Sequence, residues 1–131
     1  MRTLVILLSL CATTAAADFQ AGVARIRITP QNSIWMSGYA SRDHPSEGVL
    51  QDLWAKALAL EDSRGNRLVI VTVDVIGLPR SISDLVAARV QKQHGLERAR
   101  LLLNFSHTHT GPLIWRNLKP PAFNPIFRLP P

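Results

Sequence analysis

The stretch from Leu68 to Phe105 constrains the fold more than any other part of this chain. Arg67 to Val75 is an almost unbroken apolar run rich in valine and isoleucine, which reads as a strand buried on both faces. Ser81-Ile82-Ser83-Asp84 then opens a helix, with Pro79 just ahead and with Ser81 and Asp84 spaced as a capping box. Ile82, Leu85, Val86 and Val90 fall near one helical face, Arg89, Gln91 and Lys92 fall outside it, and Gly95 ends the element. Arg100 to Phe105 is apolar again. The series predicts one strand-helix-strand crossover, and therefore an α/β fold. In sheets wired this way, ligands bind beyond the carboxyl ends of the strands.

Upstream, two further strands are expected, which makes the sheet a mixed one. Gly22 to Ile28 alternates apolar and basic residues and stops at Thr29-Pro30. Trp54 to Leu60 is nearly all apolar and is separated from Arg67 by the turn-forming run Glu61-Asp62-Ser63-Arg64-Gly65-Asn66. The residues between Gln31 and Leu53 form a long loop with Gly38, Pro45 and Gly48, and long loops in compact domains are commonly functional.

The chain has 131 residues and one cysteine, Cys11. Arg2, the apolar run Leu4 to Leu10 and Ala15-Ala16-Ala17 before Asp18 have the form of a cleaved signal peptide over residues 1–17. The apolar run is too short to span a bilayer. Export to a secreted or periplasmic location is the expectation, and cleavage would leave no cysteine for a disulfide. The alternative, lipid attachment at Cys11, is disfavoured by the bulky Leu10 before it. The formal net charge is +6. The arginines form no run and no aromatic platform interleaves with them, so no nucleic-acid partner is expected, whereas a diffuse peripheral contact with anionic lipid stays open.

The strand ending at Phe105 leads into Asn104-Phe105-Ser106-His107-Thr108-His109-Thr110-Gly111-Pro112. In an extended segment the side chains at i and i+2 point the same way, so His107 and His109 would share one side of a strand end. Two imidazoles so placed can share a divalent metal, or one can bind metal while the other faces substrate; a pair on a polar turn can also have neither role. Asp74, at the end of the preceding strand, either orients a metal-binding histidine or caps the Ile76-Gly77 turn. Tyr39 and Arg42, in the long loop, are candidates for lining the site, with a structural role for Gly38-Tyr39 as the equal alternative. His44 is a possible further ligand from the loop, and His94 suits a helix C-terminus as a cation.

The ordered series of motifs resembles the neutral, non-lysosomal ceramidases. It comprises Ala21-Gly22-Val23-Ala24 leading to Ile28-Thr29-Pro30, then Met36-Ser37-Gly38-Tyr39-Ala40 and Asp52-Leu53-Trp54-Ala55-Lys56-Ala57-Leu58. Val73-Asp74 followed by Gly77-Leu78, and His107 to Pro112, complete it. The resemblance covers residues 21 to 112. It implies a secreted or surface zinc amidase that cleaves ceramide to sphingosine and a fatty acid. It implies His107 as a Zn2+ ligand and His109 as the residue that stabilises the oxyanion of the tetrahedral intermediate. It also implies an incomplete zinc site, because the family's other ligands, a His, a Glu and a Tyr, come from segments downstream of those present.

On this reading residues 18–112 form the N-terminal layer of a larger catalytic domain, inactive on its own. Residues 113–131 are a divergent tail, with five prolines between Lys119 and Pro131 that exclude a regular helix or central strand. The change of composition suggests a truncated or out-of-frame end. Other His-x-His enzymes match less well. The metallo-β-lactamase motif runs on to Asp-His where Thr110-Gly111 stands, and barrel amidohydrolases place the pair on their first strand. The alternative from another class is an exported, non-catalytic binding or vestigial domain of the same fold.

Overall fold

The computed structural model describes residues 18–115. The expected leader, residues 1–17, and residues 116–131 of the tail lie outside the described residues. Four strands form one mixed sheet in the order β1-β2-β3-β4: β1 (Gln20–Arg27), β2 (Trp54–Glu61), β3 (Arg67–Val73) and β4 (Leu101–Phe105). β1 and β2 are antiparallel, as are β2 and β3, while β4 lies parallel to β3 with Val71 opposite Leu103. The helix α1 (Arg80–His94) lies between β3 and β4 in the chain, and a short 3-10 turn, Arg98–Arg100, feeds β4.

Each element follows from local chemistry. The β2-β3 turn is tied by Asp62, whose carboxylate accepts the backbone N–H groups of Arg64 at 2.9 Å and Asn66 at 2.8 Å and the Asn66 side-chain amide at 2.8 Å. These donors hold the Asp62 carboxyl below its ordinary value, the Asn66 side chain contributing most. Gly65 takes the left-handed conformation there, φ 79°. Gly95 ends α1 with φ 67°, and its N–H reaches the Gln91 carbonyl at 2.9 Å.

The helix start differs from the expected capping box. α1 begins at Arg80 with Pro79 at the cap position and no side-chain cap. Ser81 is therefore already inside the first turn. Pro79, at ψ 147°, presents its carbonyl to the N–H groups of Ile82 and Ser83, and Asp84 lies 3.5 Å from Arg80. The proline's fixed φ makes it a natural boundary two residues before the expected cap at Ser81.

The core lies under α1. Ala87, Leu96 and Leu101 are buried, with Val69, Val71, Val86, Val90 and Leu103 packed against them. Strand alternation puts Val69, Val71 and Val73 on the helix side and Leu68, Ile70 and Thr72 on the other. β3 is thus covered on one face among the described residues rather than buried on both, with Leu68 and Thr72 exposed. The register aligns Val23, Leu58, Ile70 and Leu102 in one row across the uncovered face, where Val23 is 84% exposed. The apolar composition that suggested two buried faces is real; one of those faces has no cover here. No helix among the described residues is long and apolar enough to cross a membrane.

Candidate functional site

The carboxyl ends of β3 and β4 are joined by backbone bonds that carry the chain into the histidine segment. The N–H of Ser106 donates to the Val73 carbonyl at 3.1 Å, and that of Thr108 to the Val75 carbonyl at 3.3 Å. Val75 is almost wholly buried beneath this crossing. The loop before β2 closes over the same end. Met36 bridges Pro112, the Ser37 N–H donates to the Gly111 carbonyl at 2.8 Å, and the Leu113 N–H donates to the Trp35 carbonyl at 2.9 Å. The Ser37 hydroxyl, fully buried, donates to the Pro112 carbonyl at 2.8 Å. Two segments some 75 positions apart are thereby stitched into one floor.

His107 and His109 come together on that floor, but not as neighbours on one side of a strand. The strand ends at Phe105, and His107 is in the left-handed region at φ 55°. The turn, not strand alternation, brings the rings to a centroid separation of 5.1 Å with their planes inclined by 52°. His107 is exposed and His109 is half-buried. Tyr39, also left-handed at φ 53°, meets His109 edge to face at 5.2 Å. Non-glycine residues held at positive φ cluster at functional sites because surrounding structure must hold them there. Both of these residues lie in the one cluster.

Arg42 completes the group. Its guanidinium lies 5.7 Å from the Tyr39 ring centroid, Nη2 is 3.5 Å from the His109 carbonyl, and Nη1 is 3.5 Å from the Met36 sulfur. Tyr39 and Arg42 therefore both reach His109, as expected of residues lining the site. Gly38 has the structural role that the sequence leaves open for the Gly38-Tyr39 pair. A Cβ there would overlap His109 Cγ and lie 2.6 Å from its Cβ and 2.7 Å from its Nδ1, at a φ of 73°. Only a glycine lets the imidazole rest on this backbone. The signals in the sequence are the Gly-Tyr pair itself and the length of the loop that carries it.

The other expectations resolve differently. Asp74 lies at the site's edge, but its carboxylate accepts the Trp54 N–H at 2.9 Å, while its own N–H donates to the Trp54 carbonyl at 3.0 Å. It pins the start of β2, and is engaged neither with a histidine nor with the Ile76-Gly77 turn. His44 pairs instead with Asp43 at 2.7 Å and lies 3.8 Å from Glu47, on the exposed part of the loop. The hydrogen bond from His44 is the main cause that lowers the Asp43 carboxyl from its ordinary value. His94 lies in the last turn of α1.

A zinc site takes three protein ligands plus water when catalytic. His107 offers one imidazole in an exposed position, which suits one arm of such a site. Among the described residues no three His, Cys, Asp or Glu side chains converge, so the set is not completed there.

The pattern that defines the neutral/alkaline non-lysosomal ceramidase family, N-terminal region, matches residues 19–121. The chain belongs to this family. It is 30% identical over 112 residues to the neutral ceramidase of Drosophila pseudoobscura pseudoobscura, covering 83% of this chain and 16% of that protein. It is 28% identical over 113 residues to the neutral ceramidase of Pseudomonas aeruginosa, covering 82% of this chain and 17% of the relative. The fold agrees with the crystal structure of neutral ceramidase from P. aeruginosa at a TM-score of 0.67 and 26% identity, over 75% of this chain and 16% of that one. A ceramidase complexed with C2 matches equally, with a TM-score of 0.67 and 27% identity, over 74% of this chain. The chain thus spans about one sixth of the length of the ceramidases it matches. The mixed sheet and the helix α1 of the described residues share the fold of the N-terminal part of neutral ceramidase.

Proposed function

We propose that this chain carries the N-terminal part of the active site of a secreted, zinc-dependent ceramidase-like amidohydrolase, whose substrate is ceramide or a related lipid amide. On this reading the sheet and α1 form the N-terminal layer of a larger catalytic domain. The observation that carries the proposal is the convergence of His107, His109, Tyr39 and Arg42 at the carboxyl end of β4, within a sequence that belongs to the ceramidase family.

His107 is the zinc-binding arm and His109 the oxyanion partner. Zinc, when bound, supplies Lewis acidity and a water ionised at neutral pH. His109 donates a ring N–H toward the amide oxygen as negative charge develops on it. Gly38 and Tyr39 fix the ring, so that little reorganisation is needed at the moment of reaction. Removing one such donor typically costs a factor of about 10²–10³ in turnover.

On this proposal the chain does not turn over ceramide alone, because a catalytic zinc takes three protein ligands and the family resemblance assigns only His107 here. Export by the leader at 1–17 and a peripheral contact with anionic lipid through the basic surface belong to the same proposal. The second reading, from another class, is a non-catalytic exported binding or vestigial domain of the same fold. A chimera separates the two. Residues 18–112 are exchanged for the matching segment of P. aeruginosa neutral ceramidase, and a fluorescent ceramide is the substrate. Hydrolysis that is lost on His107→Ala or His109→Ala is the expected result. A folded chimera that binds zinc and never turns over would reject the catalytic reading.

A further inference from the structure

Arg42 is the one group of the site that the proposed chemistry does not use, and its environment is incomplete. The guanidinium has five N–H donors and no acceptor. Its Nε is buried and has no partner. Its two ends meet a thioether sulfur and a backbone carbonyl, both at 3.5 Å, which are a weak acceptor and a long contact. The adjacent carboxylate, Asp43, is engaged with His44. No carboxylate among the described residues pairs with Arg42. A half-buried guanidinium held over Tyr39 and beside His109 is therefore a cation without a counter-ion. Burying a charge is costly unless it is paired, so the position favours an anion brought from outside.

We infer that Arg42 binds a carboxylate at the His109 side of the site, and that this carboxylate is the fatty-acid product of lipid-amide cleavage. The chemical class follows from the donor. A planar guanidinium whose terminal nitrogens hold only displaceable partners matches the two oxygens of a carboxylate in a forked pair. The backbone supports the placement: the Arg42 N–H donates to the Tyr39 carbonyl at 3.0 Å, closing a turn that keeps the guanidinium over Tyr39 and beside the His109 backbone. Amide cleavage turns a neutral acyl carbonyl into a carboxylate at this same place. The neutral amide has no charge for Arg42 to meet, whereas the product does. Naming the ligand as product rests on the proposed amidase function; the carboxylate site itself does not.

The test is a calorimetric titration of the full chain with hexanoate, and in parallel with hexanamide, which has the same shape and no charge. Saturable one-to-one binding of hexanoate, at least tenfold tighter than hexanamide, is expected. Arg42→Gln should abolish that preference and Arg42→Lys should keep part of it, because lysine retains the charge without the fork. The Arg42 Nε–H resonance should shift on addition of hexanoate. If Arg42→Gln does not fold, the hexanoate-hexanamide comparison and the Nε–H shift in the wild-type chain decide the matter. Equal binding of the two ligands, no binding of hexanoate by the folded wild-type chain, or a folded Arg42→Gln that binds hexanoate unchanged would overturn the inference. Neither measurement involves zinc or amide cleavage. A chimera without ceramide hydrolysis beside intact hexanoate binding would therefore defeat the proposed function alone, and an active chimera beside a chain indifferent to hexanoate would defeat the carboxylate site alone.

Discussion

The imidazole of His109 lies directly on the backbone of Gly38, so close that a Cβ on Gly38 would lie 2.6 Å from the His109 Cβ. Gly38→Ala therefore combines two penalties, a side chain in the left-handed region and an overlap with a ring that has Tyr39 on another side. Together these amount to roughly 2–4 kcal/mol. The expected result is a clear loss in thermal unfolding midpoint, together with a shifted His109 ring resonance. An alanine variant as stable as the parent would show that the His109 ring does not occupy this position in solution.

Ser37 holds the same floor from beneath. Its buried hydroxyl donates to the Pro112 carbonyl, across the junction between the two segments. Ser37→Ala leaves that acceptor with one partner fewer and should cost about 1–2 kcal/mol. The effect should appear as faster hydrogen exchange at the Ser37 and Leu113 amides, both of which bridge the junction. Ser37→Val, larger and unable to donate, should be worse than alanine.

His107 stores backbone strain at the position proposed to bind zinc. His107→Gly relieves the left-handed conformation and should stabilise the chain, or leave it unchanged, within about 1 kcal/mol. His107→Val, β-branched at positive φ, should destabilise it. Chemical denaturation of the three proteins gives the order, and a valine variant more stable than glycine would contradict the assigned turn.

Much of this arrangement was legible in the residues, for identifiable reasons. Gly95 announced the end of α1, the Asp62 to Asn66 run announced the β2-β3 turn, and the apolar run after Arg100 announced β4, because each depends on chemistry within a few positions. The capping box failed because Pro79 sets the boundary without any side-chain bond. His107 and His109 do meet, yet strand alternation is not the cause; a left-handed residue beyond the strand end is, and φ at a histidine is invisible in sequence. The contacts of Gly38, Ser37 and Asp74 span 20 or more positions and depend on tertiary closure. Asp74 lies at the site's edge, but neither the histidine role nor the turn role holds, because its partner is the backbone of another strand, 20 positions away.

The β2-β3 turn supplies a pH dependence with a defined sign. The Asp62 carboxyl is lowered in the folded chain from an ordinary value of 3.8 by its bonds to Asn66 and Arg64. Its contribution is fully present above that ordinary value and is lost as the pH falls through the lower folded value. Amide exchange at Asn66, whose N–H is bonded to Asp62, should therefore stay protected near neutrality and lose that protection only in strong acid. Asp62→Asn should remove most of this acid sensitivity, and an unchanged acid profile in that variant would count against the assigned role.

The division of labour between the two histidines is the centre of the account, and zinc titration of the chain tests it most directly. The wild-type chain, His107→Ala and His109→Ala are titrated in turn by calorimetry. The account predicts zinc binding by the wild-type chain that is weaker than that of a complete three-ligand site, is retained by His109→Ala and is lost in His107→Ala. Zinc binding that survives His107→Ala, or that depends on His109 alone, would contradict it.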